Sequence, residues 1–255
     1  MRLAGFMVMG FLSMNIAQLV EAVYLGLVGV EDLAALGFVF PLIMGVGAMA
    51  RGLGIGASSV IARTMGAGDR ALAARLATHC EFLVILFAAV CMLAGLAFGQ
   101  SLFAFMGAYG RVLDLATGYL HVYLIGMPFF LLSMVGTSLL RATGSPASPG
   151  IVMTLGSLLQ IVISPFFIFG WLGLPAMGVV GAAWGFVIAR GLSFILAFYF
   201  IAIRDRLILM SLANLVPTWK AILHVGGPAM ATNMLMPVSA GIITWLLAGH
   251  GNAVI

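Results

Sequence analysis

The apolar positions along this chain do not alternate with polar ones over short stretches; they run together in seven long blocks. These are Leu3–Val28, Leu33–Ala62, Phe82–Phe98, Leu115–Leu140, Ile151–Phe169, Gly178–Ile203 and Val225–Ala248. Crossing the hydrocarbon core of a bilayer takes about 20 residues as a helix, and each block approaches or exceeds that. The joints carry turn chemistry: Gly66-Ala67-Gly68-Asp69, Gly144-Ser145-Pro146, and the short Gly170-Trp171-Leu172-Gly173-Leu174-Pro175 loop. Leu207–Ile222 is less apolar and holds Pro217, Trp219 and Lys220, a mixture that suits a connector lying at the membrane interface. The pattern predicts an all-α, polytopic transmembrane helix bundle.

Composition sharpens that reading. Hydrophobic residues make up 64% of the chain and charged residues 7%, with a mean hydropathy of +1.23. So few charges could not cover the surface of a soluble domain this long. The net charge of +4 is explained by topology rather than by nucleic acid, which is not expected as a partner. With the N-terminus in the cytoplasm, Arg2, Arg63, Arg70, Arg75, Arg141, Arg204, Arg206 and Lys220 all lie inside, and Arg111 alone lies outside. That asymmetry follows the positive-inside rule and points to a bacterial-type inner membrane. Glu31 and Asp32 then fall in the first outer loop. Arg2 ahead of an apolar run resembles a signal peptide, but Asn15, Gln18 and Glu21 do not belong in such a segment and more spans follow. Cys80 and Cys91 fall eleven residues apart in one predicted helix, too far to pair. Ala48, Gly52 and Gly56 recur at four-residue spacing, which lets a neighbouring helix approach closely or lets this one slide or bend; tight packing is the expected role.

Against this background, the polar residues inside the spans are the candidates for chemistry. Glu21 lies about 7 residues, hence roughly 10 Å, inside the outer end of the first span. An ionisable group at that depth is costly and is a functional candidate by default; it could take up and release a proton. Asn15 and Gln18 precede it at three-residue steps and continue a drifting polar stripe that needs water, an ion or a partner helix. In the fifth span Gln160 and Ser164 are one turn apart on one face, and Pro165 removes a rung of the hydrogen-bond ladder there. These residues could equally serve as interhelical glue. Arg190, mid-way along the sixth span, either faces a cavity and pairs with Glu21 or snorkels; Arg51 is expected to snorkel to the inner interface. His79 and Glu81 are expected at the interface, His121 in solvent, and His224 and His250 at opposite ends of the last span. No histidine has metal-ligand spacing. Tyr24, Met44, Phe38 and Phe40 could line an apolar cavity. No phosphate-binding glycine loop, zinc pair or serine–histidine arrangement occurs, and Glu21 is the one deeply placed acid, so an enzyme is not expected.

Several stretches resemble the MATE (multidrug and toxic compound extrusion) transporters of the MOP flippase superfamily. They are Leu19-Val20-Glu21-Ala22-Val23-Tyr24-Leu25-Gly26, Asp32-Leu33-Ala34-Ala35-Leu36-Gly37, Gly54-Ile55-Gly56-Ala57-Ser58-Ser59 with Ala62-Arg63-Thr64-Met65-Gly66-Ala67-Gly68-Asp69, Leu140-Arg141-Ala142-Thr143-Gly144, Ile161 through Gly170, Gly178 to Gly185, and Gly226-Gly227-Pro228-Ala229. Their order over almost the whole chain carries the likeness. It implies two six-helix lobes, of which this chain supplies residues 1–206 as the first, 207–224 as connector, and 225–255 as the first helix of a second. Leu27-Val28-Gly29 and Leu247-Ala248-Gly249 are a faint internal match, and the apolar ending Asn252-Ala253-Val254-Ile255 suggests a missing carboxyl-terminal half; the alternative is a half-size protein that dimerises. The resemblance further implies an alternating-access antiporter that exports a small, mostly cationic organic substrate from a cavity touched by Tyr24, Met44 and Arg190. No cofactor is implied beyond a proton or sodium as coupling ion, and membrane lipids surround it. Family members often have Asp at the position of Glu21, and Asn and Asp at those of Gln160 and Ser164, so the cation site carries over in weakened form, with Glu21 as its acid and Gln18, Asn15, Gln160 and Ser164 around it. A lipid-linked oligosaccharide or polysaccharide flippase has the same architecture, with Arg190 meeting an anionic headgroup. A non-transporting membrane assembly partner is the remaining alternative.

Overall fold

A computed structural model describes residues 2–142, 147–173, 175–205, 207–209 and 214–248. Its helices are α1 (Arg2–Val28), α2 (Val30–Gly66), α3 (Arg70–Phe105), α4 (Gly110–Ala142), α5 (Ala147–Ile168), α6 (Gly178–Phe198) and α7 (Leu215–Ala248). Among the described residues no strand occurs, and seven helices are long and apolar enough to span a membrane. The Gly144-Ser145-Pro146 break, Arg206, the Gly249 end of the internal match, His250 and the ending at Ile255 lie outside the described residues.

Several helices outrun their apolar blocks. The third block, Phe82–Phe98, is the middle of a helix that begins at Arg70, where Asp69 caps it by accepting from the Leu72 N–H at 2.9 Å. Hydropathy registers only the part that matches lipid; the polar ends are held by caps and by packing. Glu31 and Asp32, expected in a loop, occupy the first turn of α2, where acids favour the helix dipole. Glu31 meets Arg111 of α4 at 2.9 Å, so exposed that it contributes at most about 1 kcal/mol. Asp32 is buried and accepts from the Val179 N–H at 2.7 Å, capping the start of α6 from another helix. Asp32→Ala is expected to cost about 0.5–2 kcal/mol, read as a thermal midpoint a few degrees lower, and Asp32→Asn to recover most of it. An unchanged midpoint for the alanine variant would remove this cap from the account.

The core runs along α4. About two thirds of its span, 67%, is buried inside the protein, against 6% for α7. Tyr119, Tyr123, Met127, Leu131 and Leu139 on α4 are essentially inaccessible. Phe38, expected near a cavity, is a core residue at 0% exposure, because α2 turns that face towards the bundle. The small residues of α2 do pack tightly: a Cβ at Gly52 would lie 2.6 Å from the Met230 nitrogen, and one at Gly56 2.9 Å from the Gly226 Cα. Their partner is α7.

The interfacial connector is corrected by this packing. Its second half is helical and continuous with α7 from Leu215, since Pro217 sits in the first turn, where a missing N–H does no harm. The segment folds over the start of α3. Thr78 Oγ1 accepts from the Leu209 N–H at 3.0 Å, His79 Nδ1 lies 3.1 Å from Thr218 Oγ1, and Trp219 Nε1 donates to the His79 carbonyl at 2.9 Å. His79 is therefore fully buried rather than interfacial, and both carboxylate oxygens of Glu81 are buried as well. Glu81 is thus an acid withdrawn from solvent at the interfacial end of α3. Cys80 and Cys91 are both free.

Candidate functional site

Three helices converge on one polar chain. α5 lies between α1 and α6, so a side chain at its centre can reach both. Gln160 occupies that position. Its Nε2 donates to Glu21 Oε2 at 2.6 Å, and its Oε1 accepts from Arg190 Nη2 at 2.8 Å. The two neighbours dictate the amide's orientation, because a carboxylate only accepts and a guanidinium only donates. Glu21 is 8% exposed and Gln160 5%. Sequence reasoning raised a Glu21–Arg190 pairing; the structure makes it indirect, through a neutral amide.

Arg190 rests on aromatic faces. Its guanidinium carbon is 5.2 Å from the Phe186 ring centroid and 5.5 Å from that of Phe130. Tyr123 packs against Phe186 with its ring tilted, centroids 5.0 Å apart. Such cation–π contacts help hold a charge out of water, by about 0.5–2 kcal/mol each. Arg51 departs from expectation. Its Nη1 would be 3.5 Å from a Cβ on Gly47, with the Phe130 ring 3.8 Å from the same point. The side chain leans back along α2 towards its N-terminus, as helical side chains do, rather than away to the interface.

The acid end of the chain is left incompletely satisfied. Glu21 Oε1 and Ser164 Oγ are both buried without a hydrogen-bond partner. They line a narrow crevice between α1 and α5 with Ala17, Val20, Tyr24, Gln160 and Ile161. Close approach of α6 confines it: a Cβ at Gly185 would lie 2.8 Å from the Ser164 Cα, so only glycine fits. Buried oxygens without partners are uncommon, and in a crevice too narrow for a water the occupant with room is a proton. The α5 helix continues through Pro165 to Ile168, so the ladder loses the rung to the Ile161 carbonyl without the helix ending.

The remaining sequence candidates do not join this cluster. Asn15 is exposed and donates back to the Phe11 carbonyl of its own helix at 2.8 Å. Gln18 is exposed too. At about 100° per residue, three-residue steps rotate the stripe away from the face that Glu21 shares with α5. Met44 is half-buried on α2, and Tyr24 packs edge-on against Phe169 at 5.9 Å. Sequence reasoning missed Phe130, Phe186 and Tyr123. Tyr119, Tyr123 and Phe130 do share one face of α4, but aromatic residues are common on every helix here and nothing in the sequence sets these apart.

Known proteins give the same picture. The MatE family profile matches residues 7–166. An FAD transporter of Shewanella oneidensis is 29% identical over 236 residues, which cover 91% of this chain and 52% of that protein. The multidrug export protein MepA of Staphylococcus aureus is 30% identical over 220 residues, 84% of this chain and 47% of that one. The solved inward-facing conformation of a multidrug resistance MATE family transporter of the MOP superfamily superimposes with a TM-score of 0.86 at 32% identity, covering 94% of this chain and 55% of the other. The chain thus spans about half the length of the relatives it matches. With most of its helices inside the family profile, the chain belongs to the MatE family, whose members are transport proteins and not enzymes.

Proposed function

We propose that this chain forms part of a secondary active antiporter that exports small organic compounds, mostly cationic, in exchange for protons or sodium by alternating access. The observation that carries this is the buried Glu21 carboxylate, with one oxygen held by Gln160 and the other open to the α1–α5 crevice. Of the two ions a proton fits better. The crevice offers a sodium ion few side-chain oxygens, Glu21 Oε1 and Ser164 Oγ being the buried ones without a partner, whereas a proton needs only the carboxylate. Binding an ion there can drive transport only if the outward and inward states bind it with different affinity.

In this reading residues 1–206 are the first lobe, α7 opens a second, and the N-terminus faces the cytoplasm of a bacterial-type inner membrane. The name of the staphylococcal relative supports a drug substrate. A second reading is favoured by Arg190 held between the Phe130 and Phe186 faces: a fixed cation there suits an anionic organic compound, such as a lipid-linked precursor or a nucleotide-like molecule, and the Shewanella relative is named for one of the latter. Inverted vesicles containing the complete gene product separate the two. Efflux of a fluorescent cationic dye under a proton or sodium gradient supports the first; movement of an anionic flavin analogue and not of the dye supports the second. If neither moves under either gradient, the transport reading fails.

A further inference from the structure

Another acid with a buried carboxylate lies well apart from this crevice. Glu81, on α3, borders a cavity of about 180 Å³ formed with α4, α6 and the segment after it. Its walls include Phe82, Ile85, Leu132, Phe194 and Phe198. Both Glu81 oxygens are buried and have no hydrogen-bond partner. One of them sits over Gly136 of α4, 3.6 Å from where a Cβ would be. Among the described residues that line it, none is basic. An ionised carboxylate walled in by apolar groups is costly unless a cation meets it. An apolar cavity of about 150 Å³ is already enough to hold benzene, so this one can hold an aromatic ring or a short alkyl segment.

Access is from the membrane. Ile85 and Phe198 on the rim are each 49% exposed. From Phe82 to Phe105 the helix carries no charged side chain, roughly 36 Å at 1.5 Å per residue and enough to cross the hydrocarbon. Glu81 therefore sits where the apolar stretch begins, at the headgroup level on the Arg70 and Arg75 side. A molecule lying in that leaflet with its charge at the headgroups and its body in the hydrocarbon would present both to the site. The described lining offers a carboxylate and apolar groups, which suit a simple ammonium amphiphile better than a phosphate-bearing lipid.

We propose that this cavity is a binding site for a singly charged ammonium amphiphile entering from the surrounding leaflet, with Glu81 as the counter-charge. It is separate from the Glu21 crevice and does not depend on how that crevice is used. The test uses the full chain in phosphatidylcholine vesicles with a diazirine-bearing decyltrimethylammonium, and the matching decyl sulfonate as control. Photolabelled peptides are mapped by mass spectrometry, with label at the lipid-facing Ile195 as internal reference. Label at Phe82, Ile85 and Phe198, relative to Ile195, is expected to be at least fivefold higher for the ammonium probe than for the sulfonate. It is expected to fall at least fivefold in Glu81→Gln and in Leu132→Trp, which fills the cavity while keeping the acid, and to persist in Glu21→Gln. Equal labelling by both probes, or unchanged labelling in Glu81→Gln, would overturn the proposal. The Glu21→Gln control keeps its failure distinguishable from failure of the antiport reading.

Discussion

Glu21→Gln in the complete gene product is expected to lower gradient-driven efflux at least tenfold while the protein still folds and reaches the membrane. The substituted amide is nearly isosteric and still offers an oxygen to Gln160 Nε2, so the α1–α5 contact at 2.6 Å has a counterpart. What disappears is the ability to lose and regain a proton, and with it the differential binding that couples the ion to the change of state. A tenfold loss corresponds to only about 1.4 kcal/mol of barrier, modest beside the several kcal/mol at stake in burying an uncompensated carboxylate. Glu21→Asp, which keeps the acid but draws it back by one methylene, is expected to retain partial activity and to stretch the bond to Gln160. The measurement is initial efflux rate in inverted vesicles at matched protein amounts. Wild-type rates in the glutamine variant would place the coupling group elsewhere.

Arg190→Met is expected to weaken export of anionic compounds relative to cationic ones. Removing the guanidinium deprives Gln160 Oε1 of its 2.8 Å donor and leaves the Phe130 and Phe186 faces without their cation. Loss of a charged hydrogen bond at a buried amide costs about 1–3 kcal/mol, so some loss of thermal stability accompanies the change. The decisive readout is substrate choice. Export of an anionic flavin analogue is expected to fall roughly tenfold or more, about the 1.4 kcal/mol of a single lost charge contact, while export of a cationic dye holds or rises. A uniform loss for both classes would make Arg190 a structural support for Gln160 rather than a determinant of substrate. Arg190→Lys separates charge from geometry, since an ammonium keeps the charge but not the planar fork.

The candidate site was legible to the extent that its cost was local. Glu21 is conspicuous because a carboxylate inside an apolar run is expensive wherever the helix packs. Gln160 and Ser164 stood out because four-residue spacing puts them on one face of a helix, whatever that face meets. Asn15 and Gln18 were drawn in by proximity in sequence, yet the rotation of α1 carries them off the shared face. Glu81 was missed in the opposite way. It stands at the end of an apolar run next to arginines, where a charge is ordinarily solvated, and only the segment after α6 folding back over α3 takes its surroundings out of water.

Apolar length and scarcity of charge are additive properties that need no knowledge of neighbours, and they alone make this a multi-span helical membrane protein. The sequence likewise marked the deep acid, since the penalty for burying charge in lipid depends on depth along one helix. Only the tertiary structure decided which polar groups meet. The Glu21–Gln160–Arg190 chain joins three helices, Asp32 caps a helix far along the chain, and Arg190 rests on Phe130 of another helix. Each of these depends on the rotation and crossing of whole helices. In lipid that is decided by close packing, through contacts such as Gly52 and Gly56 against α7 and Gly185 against Ser164, and those contacts are made between residues far apart in the chain.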